Sequence, residues 1–108
     1  MGKYVLAYKG GAMGESEAEQ QEAMTQWMNW FGSLGDAVVD GGSPFGPSSS
    51  IASDGSVRKG GASELSGYSI IEAGGMSEAC DKAKGCPVLS SGGSIEVYEA
   101  LEMGGPEG

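Results

Sequence analysis

Residues 67–73 read GYSIIEA. A short run of Tyr and β-branched residues opened by Gly has the composition of a strand. Its Ile70 and Ile71 are adjacent. Successive strand side chains point to opposite faces, so each face of the sheet receives one isoleucine. A sheet with one wet face alternates apolar and polar residues instead. Moving upstream, residues 36–40 (DAVVD) make a second strand in which Val38 and Val39 again divide between the faces. Residues 3–9 (KYVLAYK) make the first, with Val5 and Ala7 on one face and Tyr4, Leu6 and Tyr8 on the other. Downstream, residues 94–100 (SIEVYEA) read as the last strand.

Between these runs the period changes. Residues 16–34 place Met24, Trp27, Met28, Phe31 and Leu34 on the stripe of an amphipathic helix, with Trp30 beside it. Ser16 and Glu19 have the spacing of a capping box, Glu15 and Glu17 suit the positive end of the dipole, and Gly35 ends the run. Residues 76–84 predict a shorter helix with Ser77 as N-cap, Lys82 and Lys84 near its end, and Gly85 and Pro87 stopping it. Residues 41–50 (GGSPFGPSSS) read as a loop, 51–57 as a weak strand, 58–63 as a polar turn and 101–108 as a frayed tail. The expectation is one α+β domain over residues 1–103, with 104–108 a flexible tail. Its order is the ferredoxin-like β-α-β-β-α-β with an extra hairpin element. Two helices cover only one face of such a sheet. The apolar remainder predicts a homodimer packed sheet to sheet; the alternative is that loops fold over it.

Composition narrows the function. The 108 residues carry 6 Lys and Arg against 15 Asp and Glu, a net charge of −9, which argues against nucleic acid or an anionic membrane as partner. Leu, Ile, Val and Phe total only 17, so the core is thin and association would supplement it. The 21 glycines fall largely in pairs between apolar runs, as turn punctuation does. No stretch approaches the ~20 apolar residues of a membrane span. Met1-Gly2-Lys3 leads into a short apolar run rather than a signal peptide, and Leu6 breaks a myristoylation motif. Cytoplasmic location, with Cys80 and Cys86 reduced, is the expectation. Their spacing fits neither a redox pair nor half a zinc site, and the chain has no His, so neither metal nor cofactor is expected.

Without His, proton transfer near neutral pH falls to a carboxylate or a perturbed Tyr, Lys or Cys. Asp36 and Asp40 bracket the second strand, and Glu72 and Glu96 lie within strands; Asp40 is the candidate catalytic base, against a plain turn role before Gly41-Gly42. Trp27 and Trp30 are neighbours on the first helix. With Tyr8, Tyr68 and Tyr98 they could wall a pocket for a flat or apolar ligand, against the simpler reading as core. The loop from Gly41 and Gly42 to Pro47 could approach a small anion through its backbone, against a rigid connection. Lys9, before a glycine pair, could face an acidic ligand, against a solvated strand end.

The blocks KYVLAYKGG, WMNWFGSLG, VVDGGSPFGPS, GYSIIEA and KGCPVLSSGGSIEVYEALEM, in that order over residues 3–103, resemble the YCII-related proteins, and within them the group named for a DGPF signature. The signature is interrupted here, since Gly42-Ser43 separates Asp40-Gly41 from Pro44-Phe45. The resemblance implies a ferredoxin-like subunit and a dimeric α+β barrel. Some members of that family are thought to be small enzymes using a His and an acidic partner in a cleft, one branch including a dehydrochlorinase. Others are fused or neighbouring to sigma-factor regulators. With no His in this chain, no catalytic residue carries over. The expected function is a homodimer binding a small molecule between the first helix and the sheet. A small enzyme working through Asp40 and a Tyr, and a structural or regulatory interaction module, are the alternatives.

Overall fold

The computed structural model describes residues 2–11, 16–61 and 64–101. Its elements run β1 (Gly2–Lys9), α1 (Glu17–Leu34), a single tight turn (Gly35–Ala37), β2 (Val38–Asp40), β3 (Ser49–Ile51), β4 (Val57–Lys59), β5 (Leu65–Ala73), α2 (Met76–Ala83), α3 (Pro87–Ser90) and β6 (Ser94–Ala100). β2, β5, β1 and β6 form one antiparallel sheet in that order, and β3 and β4 form a separate hairpin. The result is an α+β fold compatible with the ferredoxin-like class.

The capping box closes α1 as its spacing requires: Ser16 Oγ accepts the Glu19 amide at 3.1 Å and its hydroxyl donates to the Glu19 carboxylate at 3.1 Å. Gly35 follows at positive φ, a conformation without Cβ penalty only for glycine. β6 has the expected bounds. Four expectations need correction. Residues 51–57 are not one strand but the tip of the hairpin. Ile51 pairs with Val57, and the Ala52–Gly55 turn closes with Asp54 accepting both the Ser56 amide and its hydroxyl. The polar turn expected from residue 58 is therefore β4. β2 is shorter than expected, because Gly35–Ala37 first completes the helix end. Gly75 rather than Ser77 occupies the N-cap of α2, and Pro87 opens α3 as well as following α2. Glu15 and the tail at 104–108 lie outside the described residues.

One face of the sheet carries the core. Tyr4, Leu6 and Tyr8 of β1 and Ile71 and Ala73 of β5 pack with Trp30 of α1, Ala79 and Ala83 of α2, and Cys86 and Val88. Trp27, Phe31, Leu34, Ile95 and Val97 border this cluster. The opposite face carries Val5, Ala7, Tyr68, Ile70 and Tyr98, which the register sets side by side: Val5 opposite Ile70 and Tyr98, Ala7 opposite Tyr68. Tyr98 remains 55% exposed there, and Phe45 stacks on Tyr68 at 5.8 Å. The division of apolar side chains between two faces is thus a feature of the folded chain, and the core group serves only one of them.

Candidate functional site

A cavity of about 440 Å³ opens where α1 rides over the outer end of β5. Its origin lies in side-chain size. The core-facing positions of β5 shrink outward from Ile71 to Ser69 to Gly67. Above them stand the large side chains Trp27 and Phe31. Trp27 meets Tyr8 edge-on, with ring centroids 5.1 Å apart, and so props the helix off the sheet. Bulk above and almost none below leave a void that the chain does not fill. Met24 and Met28 flank it and stay exposed, and Gly41–Pro44 and Gly10–Gly11 complete its walls.

The loop wall is pinned by polar contacts. The Tyr8 hydroxyl, buried, donates to Ser69 Oγ at 2.7 Å, and Ser69, wholly buried, donates to the Gly41 carbonyl at 2.7 Å. Asp40 Oδ1 accepts the Gly42 amide at 2.8 Å, the geometry of an Asx turn. Its Oδ2 lies 3.4 Å from the Tyr68 hydroxyl. Gly42 has positive φ, and a Cβ there would run into the Tyr68 carbonyl oxygen, so only glycine lets the loop lie against β5.

Of the residues read as site candidates, Tyr8, Trp27, Gly41, Gly42 and Tyr68 line this one cavity. Asp40 does not line it; its carboxylate accepts the Gly42 amide and lies beside the hydroxyl of Tyr68, whose ring is on the opposite sheet face. Trp30 is set into the core instead; its indole N–H donates to the Lys82 carbonyl at 3.1 Å, tying α1 to the end of α2. Tyr98 lies on the opposite sheet face, donating to Glu96 at 2.6 Å. Lys9 is there too, 3.7 Å from Glu96. The Tyr98 hydroxyl and then the Lys9 ammonium hold the Glu96 carboxyl below the usual carboxylate range. Asp36 and Glu72 do not reach the cavity. Ser69 and Ser66 belong to the site although the sequence reading passed over them. The descending size series on one face of β5 was the available signal.

Burial drives the Tyr8 hydroxyl well above the ordinary tyrosine value, against the lowering effect of its bond to Ser69. Burial likewise pushes the Cys86 thiol up to about 11. Both groups therefore stay protonated at neutral pH, and neither is an activated nucleophile. Cys80 and Cys86 are free thiols. Among the described residues no three Cys, Asp or Glu side chains gather as a metal would need, and no helix is long and apolar enough to cross a membrane.

Fold and site together define the chain as an α+β sheet protein with an aromatic-walled cavity beneath its long helix. No family model, no curated protein and no solved structure matches it.

Proposed function

We propose that the chain is a YCII-related subunit that binds a small apolar or aromatic molecule in the cavity under α1, and does so as a homodimer. The observation that carries this reading is the cavity itself. About 440 Å³ walled by Tyr8, Trp27, Phe31 and two methionines falls within the range of small-molecule sites. Its buried Tyr8 hydroxyl is held protonated, which favours binding over turnover.

The dimer rests on the second sheet face. Val5, Ile70, Tyr68 and Tyr98 lie together with no helix of the described residues over them, and a second copy packed on the same face by two-fold symmetry would cover them and give the dimeric barrel. Light scattering tests this directly. The expected particle has twice the 10.9 kDa chain mass, and Ile70→Asp returns it to one chain. A wild-type particle of one chain mass across dilution refutes the dimer.

The cavity is tested by thermal melts against a library of neutral aromatic compounds. Hits are expected to raise the melting temperature of the wild type and to lose most of that shift in Trp27→Ala. The absence of any hit favours the interaction module. The contact between Asp40 and Tyr68, 3.4 Å apart, supports a second reading, acid–base catalysis by that pair beside the glycine loop. Turnover of a bound compound that disappears in Asp40→Asn and Tyr68→Phe would establish it.

A further inference from the structure

Resting on the homodimer reading, we infer that the β3–β4 hairpin is an arm that docks on the β6 edge of a second copy of this chain, one arm in each direction across the two-fold. The hairpin stands apart from the body. Among the described residues, the hydrogen bonds of residues 48–60 all stay within 48–61, and none of their side chains joins the core. Ile51 and Val57 are cross-strand partners at its tip, yet they are 73% and 64% exposed. A two-stranded hairpin with nothing packed on it is marginal in water. Its bare apolar pair calls for a cover.

Charge and topology select the cover. The hairpin holds Arg58 and Lys59, two of the chain's six basic residues, against one acid, Asp54, whose carboxylate is engaged by Ser56. Its complement is apolar and acidic, and β6 is both. It is an outermost strand, with no described strand beside its outer row of backbone groups. It carries Glu96 and Glu99 and no basic residue, with Tyr98 and the following Leu101 exposed. Within one copy the two do not meet. The hairpin grows from the connection between β2 and β5, and β1 separates β5 from β6, so two strand spacings, roughly 10 Å, lie between its root and β6. The arm does not double back, since Ile51, Val57 and Tyr98 are all left exposed. At its root, Phe45 stacks on Tyr68 of the second sheet face, so the arm leaves on the side where the other copy would sit. A two-fold running along the strands sets the β2 margin of each sheet over the β6 margin of the other. Each arm then brings an apolar pair to Tyr98 and Leu101, and two cations to Glu96 and Glu99.

Sedimentation velocity over a dilution series measures the dimer dissociation constant of four proteins. They are wild type, an arm-reversed variant (Arg58→Glu with Lys59→Glu), an edge-reversed variant (Glu96→Lys with Glu99→Lys) and a remote control at the end of α2 (Lys82→Glu with Lys84→Glu). The arm-reversed and edge-reversed chains are each expected to dimerise at least about tenfold more weakly than wild type. The edge-reversed chain should do so although its smaller net charge favours association. The control carries the same net charge as the arm-reversed chain and should shift by less than about threefold. An equimolar mixture of arm-reversed and edge-reversed chains should recover the wild-type affinity within about threefold, because each arm then meets an edge of opposite sign. A mixture no tighter than its components, or a control that weakens as much as the arm-reversed chain, overturns the arm and leaves the dimer standing. A wild-type particle that grows past two chains with concentration marks an open head-to-tail contact and overturns the two-fold exchange. Wild type at one chain mass throughout removes the dimer reading, and the arm with it.

Discussion

Ser69→Ala is the sharpest test of how the site is held together. Ser69 Oγ lies between two groups, accepting the Tyr8 hydroxyl at 2.7 Å and donating to the Gly41 carbonyl at 2.7 Å. Gly41 is exposed, so its carbonyl turns to water at little cost. Tyr8 has no such recourse: it is 5% exposed, and its remaining polar neighbour is the Cys86 thiol. A buried donor left without an acceptor costs about 1–3 kcal/mol, so Ser69→Ala should lose about 2 kcal/mol. Tyr8→Phe leaves Ser69 its bond to Gly41 and should lose about 1 kcal/mol. The double variant leaves no stranded donor. It should therefore cost less than the two single changes together, by about 1 kcal/mol. Urea unfolding followed by tryptophan emission measures all four proteins at one fixed concentration, since an associating chain has concentration-dependent stability. A Ser69→Ala loss below about 0.5 kcal/mol, the range of an ordinary surface change, refutes the reasoning, as does strict additivity.

Three further outcomes follow from the same geometry. Gly42→Ala combines positive φ with a collision against the Tyr68 carbonyl, so it should cost more than about 2 kcal/mol and depress the melting temperature by ten degrees or so. Trp30→Phe removes the tie from α1 to the Lys82 carbonyl and should cost about 1–2 kcal/mol by urea unfolding. Folding raises the Cys86 value from 9.0 to about 11, so its contribution is present in full below pH 9 and is lost as pH rises toward 11. Stability measured across that window should fall less steeply in Cys86→Val, and iodoacetamide at pH 8 should label the half-buried Cys80 well before Cys86, as mass spectrometry would read.

Much of this architecture was legible because it depends on local rules. The capping box at Ser16 and Glu19 and the division of the β1 side chains between two faces follow from backbone geometry alone, and each recurs in the folded chain. An extra hairpin element was expected, but its arms were misplaced because residues 51–57 hold Ile and Val at their ends, which reads as a strand by composition. Asp54-Gly55 between those ends is a turn signal, and it decides the matter. The site was half legible. Tyr8 and Trp27 meet, as residues on a core-facing strand position and a helix stripe can. Spacing put Trp27 on the apolar stripe and Trp30 beside it, yet Trp30 is the buried one and Met24 and Met28 of the stripe are exposed, because which helix neighbour faces a void depends on what lies beneath each. Under Trp27 are Tyr8 and the end of β5; beside Trp30 are Gly85 and the close of α2. Tyr98 was grouped with the cavity aromatics by residue type. Its register opposite Val5 sends it to the other side of the sheet.

The descending series Ile71, Ser69, Gly67 has a bearing on how such a protein can diversify. A cavity made by a floor of small side chains, rather than by an inserted loop, is adjustable one methyl group at a time with the backbone left in place. Enlarging position 69 would shallow it, and trimming position 71 would lengthen it inward beneath the helix. Descendants of one ancestor could reshape the cavity by point substitution along a single strand while the outline of the molecule stayed the same.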